Sequence, residues 1–193
     1  MRELTYFVAV SLDGYIAAPG HDFADFPTAG DHIDVITRDY TDTINAPAQQ
    51  ALGLRSDQSR FDTVLMGWNT YGVGLPYGVD SPYPHLRQYV FSRRQRAAPD
   101  GVTVTAESPA EVARTLKAED AGSGIWLCGG GQIASALIGQ IDRLILKVNP
   151  ILLGGGVPLF ADRGHDLRQA TMLASTAFRS GVIFNEYQLE PAS

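Results

Sequence analysis

Short apolar runs, separated by glycines and polar turns, alternate with longer amphipathic segments along this chain of 193 residues. Short runs rich in Val, Ile, Leu, Phe and Tyr are typical of buried strands. The chain has such runs at residues 4–10, 63–66, 88–91, 102–105, 125–128, 142–150, 172–178 and 182–189. A glycine or a polar residue follows most of these runs, and the sequence predicts eight strands.

Helical spacing is clearest after Asp31, in the apolar residues Ile33, Ile36, Tyr40 and Ile44. Pro47 interrupts this pattern, and a second short helix is predicted at residues 48–54 and a third at 69–73. Ser108 and Glu111 form a capping-box pattern around Pro109, which predicts a helix ending near residue 119. A further apolar, helix-forming segment follows the glycines at 129–131.

The order of these elements predicts the fold class. Strands alternate with helices through the middle of the chain, and the last two strands are joined only by a Ser180-Gly181 turn. We therefore expect a three-layer α/β fold: a mixed, mainly parallel central sheet, helices on both faces, and a C-terminal antiparallel hairpin. No shift in composition marks a boundary, so residues 1–193 are interpreted as a single domain.

Composition narrows the class of function. The chain is 45% hydrophobic and 19% charged, as in ordinary globular proteins, and its net charge of -6 with a pI near 5.1 disfavours nucleic acid or an anionic membrane as partner. It has no apolar run of about 18 residues. The single cysteine, Cys128, excludes an internal disulfide, so we expect a cytoplasmic protein. The four histidines are scattered, which predicts no metal site.

Two stretches are candidates for binding a phosphorylated ligand. In the first, Gly129-Gly130-Gly131 joins an apolar strand to a helix, where free N–H groups suit a pyrophosphate. The alternative is that these glycines only allow close helix–sheet packing. In the second, Ser92-Arg93-Arg94 follows a strand, and two guanidiniums with a hydroxyl suit a phosphate monoester. The alternative is a solvated basic turn, since Arg96 lies nearby.

Five ordered blocks connect these stretches. They are A-V-S-L-D-G-Y-I-A at 9–17, V-L-M-G-W-N-T-Y at 64–71, Y-V-F-S-R-R at 89–94, I-W-L-C-G-G-G-Q-I at 125–133 and V-N-P-I-L-L-G-G-G-V-P-L-F at 148–160. Together they resemble the dihydrofolate reductase superfamily. The most similar branch is the reductase domain of the riboflavin-biosynthesis deaminase–reductase and its stand-alone relatives.

The resemblance implies an enzyme, an NADPH-dependent oxidoreductase that transfers hydride to a small pyrimidine- or pterin-like heterocycle. The implied activity resembles that of 5-amino-6-(5-phosphoribosylamino)uracil reductase. Alternatives are dihydrofolate-reductase-like activity on a pterin, or a non-catalytic nucleotide-binding module of the same fold. Carried over by position, the residues implied to bind the cofactor are Ala9, Ile16, Gly67, Thr70, Ser92, Arg93, Arg94, Gly129, Gly130, Gly131, Gln132 and Ile133. The Gly129–Gly130 peptide bond is expected to be cis, and a homodimer is expected.

The chain also departs from the family pattern. Trp68 replaces an arginine, Phe7 replaces a lysine, and Cys128 replaces a glutamate. The last two changes weigh against the riboflavin intermediate itself as the substrate. Candidates for proton delivery are Asp13, Asp34 or solvent. Residues 18–30, with Phe23 and Phe26, are interpreted either as a lid and substrate wall or as a surface loop whose aromatic side chains are tucked into the core.

Overall fold

The computed structural model describes residues 1–94, 96–161 and 164–190, and within them the chain forms an eight-stranded sheet, a second sheet of two short strands and five α-helices. The strands are β1 Leu4–Ser11, β2 Tyr15–Ala17, β3 Phe61–Gly67, β4 Arg87–Phe91, β5 Val102–Thr105, β6 Gly124–Gly129, β7 Arg143–Asn149, β8 Val157–Pro158, β9 Ala170–Ala177 and β10 Ile183–Leu189. The helices are α1 His32–Asp39, α2 Ala46–Leu52, α3 Trp68–Gly72, α4 Pro109–Lys117 and α5 Gly131–Ala136.

The strand order of the large sheet is β5-β4-β3-β6-β1-β7-β10-β9. The first six of these strands pair in parallel, whereas β10 runs antiparallel to both β7 and β9. This arrangement confirms the predicted mainly parallel sheet with a C-terminal antiparallel hairpin. The carboxyl ends of parallel strands meet at one edge of a sheet, which is where ligands bind in open α/β folds.

Side chains of β1 alternate between two cores, as the pleat of a strand requires. Tyr6 packs in a cluster with Leu116 of α4 and with Leu137, which directly follows α5. Phe7 packs on the opposite face, in a cluster with Trp126 of β6 and Tyr40, which follows α1. Both faces of the sheet are therefore covered, and the molecule has the expected three layers.

The first helix is shorter than its apolar spacing predicts. It ends at Asp39, and Thr41–Thr43 forms a separate 3-10 turn. The cause is Asp42, which is buried and whose carboxylate accepts hydrogen bonds from the backbone N–H groups of Arg60 (3.0 Å) and Phe61 (2.9 Å). These bonds connect the turn to the start of β3 and direct the chain away from the helix axis.

Two other expectations differ in detail. The helix α4 begins at Pro109 as predicted, but Ser108 makes no side-chain capping bond and the helix ends at Lys117. The strands β2 and β8 pair antiparallel next to the large sheet, and the sequence did not predict them. Strands of two and three residues are too short to show a period.

The edge strand β9 is exposed along its whole length. Its side chains include Met172, 56% exposed, and Leu173, 48% exposed. The expected homodimer stays a prediction.

Among the described residues, no helix has the length and apolar character needed to cross a membrane.

Candidate functional site

A cavity of about 560 Å³ lies at the carboxyl ends of β1, β3, β6 and β7. Its floor is formed by side chains of the sheet, and its walls come from the segments after β2 and β3 and from the loop before β4. The residues that line this cavity include Ala9, Ile16, Thr70, Tyr83, Cys128 and Lys147. Such a concave, mostly apolar space with a few polar groups is the usual form of a small-molecule site.

The glycine-rich turn forms one end of this cavity. The strand β6 ends at Gly129, whose φ of 145° favours glycine, and the Gly129–Gly130 peptide bond is cis, as expected. A side chain on Gly130 would contact Thr70 Oγ1 at 3.6 Å and Ile16 Cδ1 at 3.9 Å. The structure therefore brings together four of the residues predicted to bind the cofactor, from three separate blocks of the sequence.

Gly67 and Ile133 meet on the other side of the same turn. A Cβ on Gly67 would lie 3.1 Å from Ile133 Cγ1, so the absence of a side chain lets the end of β3 pack directly on α5. Gln132, the next predicted residue, is exposed at the start of α5. Ala9 lines the cavity from β1.

Replacing Gly131 with alanine is expected to lower the free energy of unfolding by about 1–3 kcal/mol, as overpacking does. A Cβ there would collide with the carbonyl oxygen of Pro158, which is backbone and cannot rotate away. Chemical denaturation measures the change. Gly139→Ala is the matched control, because a Cβ on Gly139 meets nothing within 4 Å. Equal stability of the two variants would contradict the close approach of α5 to residues 158–161.

Ser92, Arg93 and Arg94 lie beyond the end of β4. The Ser92 hydroxyl donates to the carbonyl oxygen of Arg94 at 2.8 Å and accepts from the Arg94 N–H at 3.2 Å, so the three residues form a compact turn. Both guanidiniums are exposed, and neither pairs with a carboxylate within the described part of the chain. They are free to bind an anion from solution.

Arg96 was interpreted from the sequence as part of an ordinary basic turn. Its guanidinium carbon lies 4.5 Å from the centroid of the Trp68 ring, a cation–π arrangement. Trp68 is the residue that replaces the family's arginine at the start of α3. The tryptophan therefore holds a different arginine over its ring, a contact that sequence spacing did not indicate.

The two carboxylates predicted to deliver a proton do not line the cavity. Asp13 accepts hydrogen bonds from Ser11 Oγ at 2.5 Å and from the backbone N–H groups of Leu153 (3.1 Å) and Gly154 (2.7 Å). The Ser11 bond and these N–H groups hold the pKa of Asp13 below its usual value. Asp34 is exposed on α1. Their catalytic roles stay predictions.

The loop at residues 18–30 supplies two aromatic side chains to the cavity. Phe26 is buried and Phe23 is 52% exposed, and both line the space. The loop therefore forms a wall of the cavity, as the first interpretation expects, and the burial of Phe26 also fits the second. Whether it closes as a lid stays a prediction.

Lys147 is a cavity residue that the sequence reasoning missed as part of the site. It lies on β7 opposite Ala9 of β1, and its Nζ lies 4.4 Å from the centroid of the Phe7 ring. Burial lowers the pKa of Lys147 to about 8. The available signal was a single lysine within the apolar run 144–148.

Within the described residues, no group of three or more His, Cys, Asp or Glu side chains is placed to hold a metal ion.

Two solved structures illustrate the likeness in fold. The crystal structure of a putative riboflavin biosynthesis protein from Shewanella sp. PV-4 matches with a TM-score of 0.70 and 25% identity, over 98% of this chain and 99% of that chain. A Thermotoga maritima diaminohydroxyphosphoribosylaminopyrimidine deaminase/5-amino-6-(5-phosphoribosylamino)uracil reductase matches with a TM-score of 0.63 and 16% identity, over 97% of this chain and 56% of that chain. The second likeness concerns the fold alone.

Two proteins of Bacillus subtilis (strain 168) are similar in sequence. YwjB is 29% identical over 175 residues, which cover 89% of this chain and 88% of that protein. YyaP is 27% identical over 145 residues, which cover 68% of this chain and 76% of that protein. The sequence model of the RibD C-terminal domain family matches residues 2–184, almost the whole chain. This chain therefore belongs to the RibD C-terminal domain family, with the dihydrofolate-reductase-like fold of its riboflavin-biosynthesis neighbours.

Proposed function

We propose that this protein is an NADPH-dependent reductase that transfers hydride to a small pyrimidine- or pterin-like heterocycle. The observation that carries the proposal is the cavity itself. One end is formed by the Gly129–Gly130 turn with Thr70 and Ile16, and the rest is lined mostly by aromatic and aliphatic side chains. The RibD C-terminal domain family and the Thermotoga reductase of the same fold support a redox role.

The residues present fit a phosphorylated dinucleotide. Gly129 and Gly130 carry no side chain where the turn borders the cavity, and the Thr70 hydroxyl lies beside them. Arg93 and Arg94 offer two exposed guanidiniums without carboxylate partners in the described part of the chain, as a 2'-phosphate requires. The bound cofactor would supply hydride, and the protein supplies its binding and orientation.

The cavity walls favour a planar ring. Trp126 lies on the cavity floor, its indole N–H donating to the Phe7 carbonyl oxygen at 3.0 Å, and the Tyr83 ring packs edge-on against it with centroids 5.0 Å apart. Phe26 also lines the cavity. Together these rings would exclude water and hold a flat ligand in one orientation, which is how positioning accelerates a transfer.

Titration of the protein's tryptophan fluorescence with NADPH and NADH tests the proposal. Because Trp126 lines the cavity, we expect NADPH to change the emission with a dissociation constant below about 1 mM, and NADH to bind more weakly. Loss of NADPH absorbance in the presence of pterins, pyrimidines and quinone-like acceptors then measures turnover. Absence of binding at millimolar NADPH would contradict the proposal, and binding without turnover of any acceptor would favour the non-catalytic module.

A further inference from the structure

Lys147 is a cation inside an apolar cavity, and the proposed cofactor contacts give it no role. Its side chain extends from β7 over the same face of the sheet as Phe7, Ala9 and Cys128. Within residues 1–94, 96–161 and 164–190, the ammonium group forms no ion pair and donates no hydrogen bond to a protein acceptor. Its Nζ faces the open space of the cavity.

An ammonium group carries three N–H donors, and each of them is satisfied only by an acceptor atom. The Phe7 ring, 4.4 Å from Nζ, offers a cation–π contact to the ammonium. That contact satisfies none of the three donors, because a ring face is not a lone pair. The three donors are therefore open to water or to an acceptor atom of a bound ligand.

The neighbouring polar groups do not supply a negative charge. Cys128 Sγ lies 4.0 Å from the Tyr83 hydroxyl, and both side chains line the cavity beside Lys147. Burial raises the pKa of the Cys128 thiol to about 11 and raises the pKa of Tyr83 as well. Both groups are neutral near pH 7, so this part of the cavity holds one net positive charge when Lys147 is protonated.

We infer that Lys147 binds an anionic or strongly accepting oxygen of the heterocyclic substrate, and thereby selects planar rings that carry such an oxygen. Lys147 on β7 pairs with Ala9 on β1, and β6 is the next strand on the other side of β1. The oxygen bound by the ammonium group would therefore lie above β7, with the ring of the ligand above β1 and β6. The inference deepens the proposed function, since it names a substrate class for the same cavity. Ligands of this class include deprotonated lactams and ring carboxylates.

A matched pair of ligands isolates the charge. Uracil-6-carboxylate and uracil-6-carboxamide have nearly the same shape and differ in the negative charge that Lys147 would contact. Calorimetric titration of the wild-type protein at pH 7 is expected to show about tenfold to a hundredfold tighter binding of the carboxylate, as one charge-assisted hydrogen bond supports. Equal affinity for the two compounds, or no binding of either at millimolar concentration, would overturn the inference.

Two variants assign the preference to this residue. Lys147→Met keeps the length and apolar stem of the side chain and is expected to lose the preference for the carboxylate, with the carboxamide affinity nearly unchanged. Lys147→Arg keeps the charge and is expected to retain a preference. If Lys147→Met binds the carboxylate as tightly as the wild type, Lys147 is not the acceptor's partner.

The preference is also expected to depend on pH. The groups that face or couple to Lys147 are Cys128 on β6, Tyr83 before β4 and His32 on α1. Burial lowers the pKa of His32, and the thiol and phenol pKa values are raised, so Lys147, with its pKa of about 8, is the one of these four that changes charge between pH 7 and 9. Carboxylate affinity should therefore fall as pH rises through this range in the wild type and stay flat in Lys147→Met.

The same samples distinguish this inference from the proposed function. NADPH titrations of the wild type and of Lys147→Met are expected to give similar affinities, because the predicted cofactor contacts do not include Lys147. If carboxylate binding depends on Lys147 while NADPH does not bind at all, the reductase proposal fails and the oxygen site stands. If NADPH binds but the carboxylate preference is missing, the inference about Lys147 fails and the reductase proposal remains supported.

Discussion

Replacing Arg93 and Arg94 together with alanine is expected to weaken NADPH binding by about 1.5–3 kcal/mol for each guanidinium at most, and to leave NADH binding nearly unchanged. The reason is that a 2'-phosphate distinguishes the two cofactors and is best held by charge-assisted bonds from arginine. Both side chains are exposed beyond β4 without carboxylate partners in the described part of the chain, so their loss should cost the fold little. Fluorescence titration of the double variant with both cofactors measures the effect.

Arg114→Ala is the matched control for this experiment. Arg114 is equally exposed, lies on α4 and does not line the cavity, so its removal changes the net charge without touching the site. We expect unchanged affinity for both cofactors. Equal losses of NADPH and NADH affinity in the double variant would contradict a role of Arg93 and Arg94 in 2'-phosphate recognition. Arg96, which lies over the Trp68 ring, would then be the next residue to test.

The second large effect is expected at Arg2, where replacement by methionine should lower the free energy of unfolding by about 3 kcal/mol or more. The Arg2 side chain is 3% exposed and pairs with both Asp62 and Glu119. It also donates to the carbonyl oxygen of Ser123 at 2.9 Å. Methionine preserves the packing of the stem but leaves two carboxylates without their cation. For a chain of this size the midpoint of thermal unfolding should fall by roughly 6–12 °C.

Arg38→Met provides the comparison for Arg2. Arg38 also forms an ion pair, with Asp39 at 2.8 Å, but its side chain is 68% exposed. Exposed pairs of this kind contribute little to stability, because water screens them and ordering the side chains costs entropy. A loss at Arg2 no larger than the loss at Arg38 would show that the buried position of the first pair adds nothing to stability.

Much of the fold was predictable because its signals are local. The strands β1, β3, β6 and β7 each show as an apolar run closed by a polar or glycine residue, and the cis Gly129–Gly130 turn follows from a recognisable block. The errors occurred where a distant contact overrides local propensity. Asp42 ends the first helix through bonds to residues 60 and 61, and β2 finds its partner in β8, about 140 residues later.

The candidate site shows the same difference between residues with a local sequence signal and contacts between distant residues. Ile16, Thr70, Gly129 and Gly130 were predicted from separate blocks, and they do meet. Asp13 was one candidate for proton delivery, and that role stays a prediction. Only the structure shows that its carboxylate accepts hydrogen bonds from the N–H groups of Leu153 and Gly154, which no local pattern indicates. The contact of Arg96 with Trp68 spans 28 positions of the sequence, 68 to 96, so no local pattern indicates it.

The sequence by itself determined the order and type of the main elements, the family and the glycine turn, because short-range periodicity and short motifs specify them. Only the tertiary structure decided what surrounds Lys147. Phe7, Tyr83 and Cys128 converge on that lysine from β1, the loop before β4 and β6. Strand register and helix packing bring those positions together, and the burial that follows lowers the pKa of the lysine and raises the pKa of the thiol. These are properties of an enclosed space, which a linear pattern does not contain.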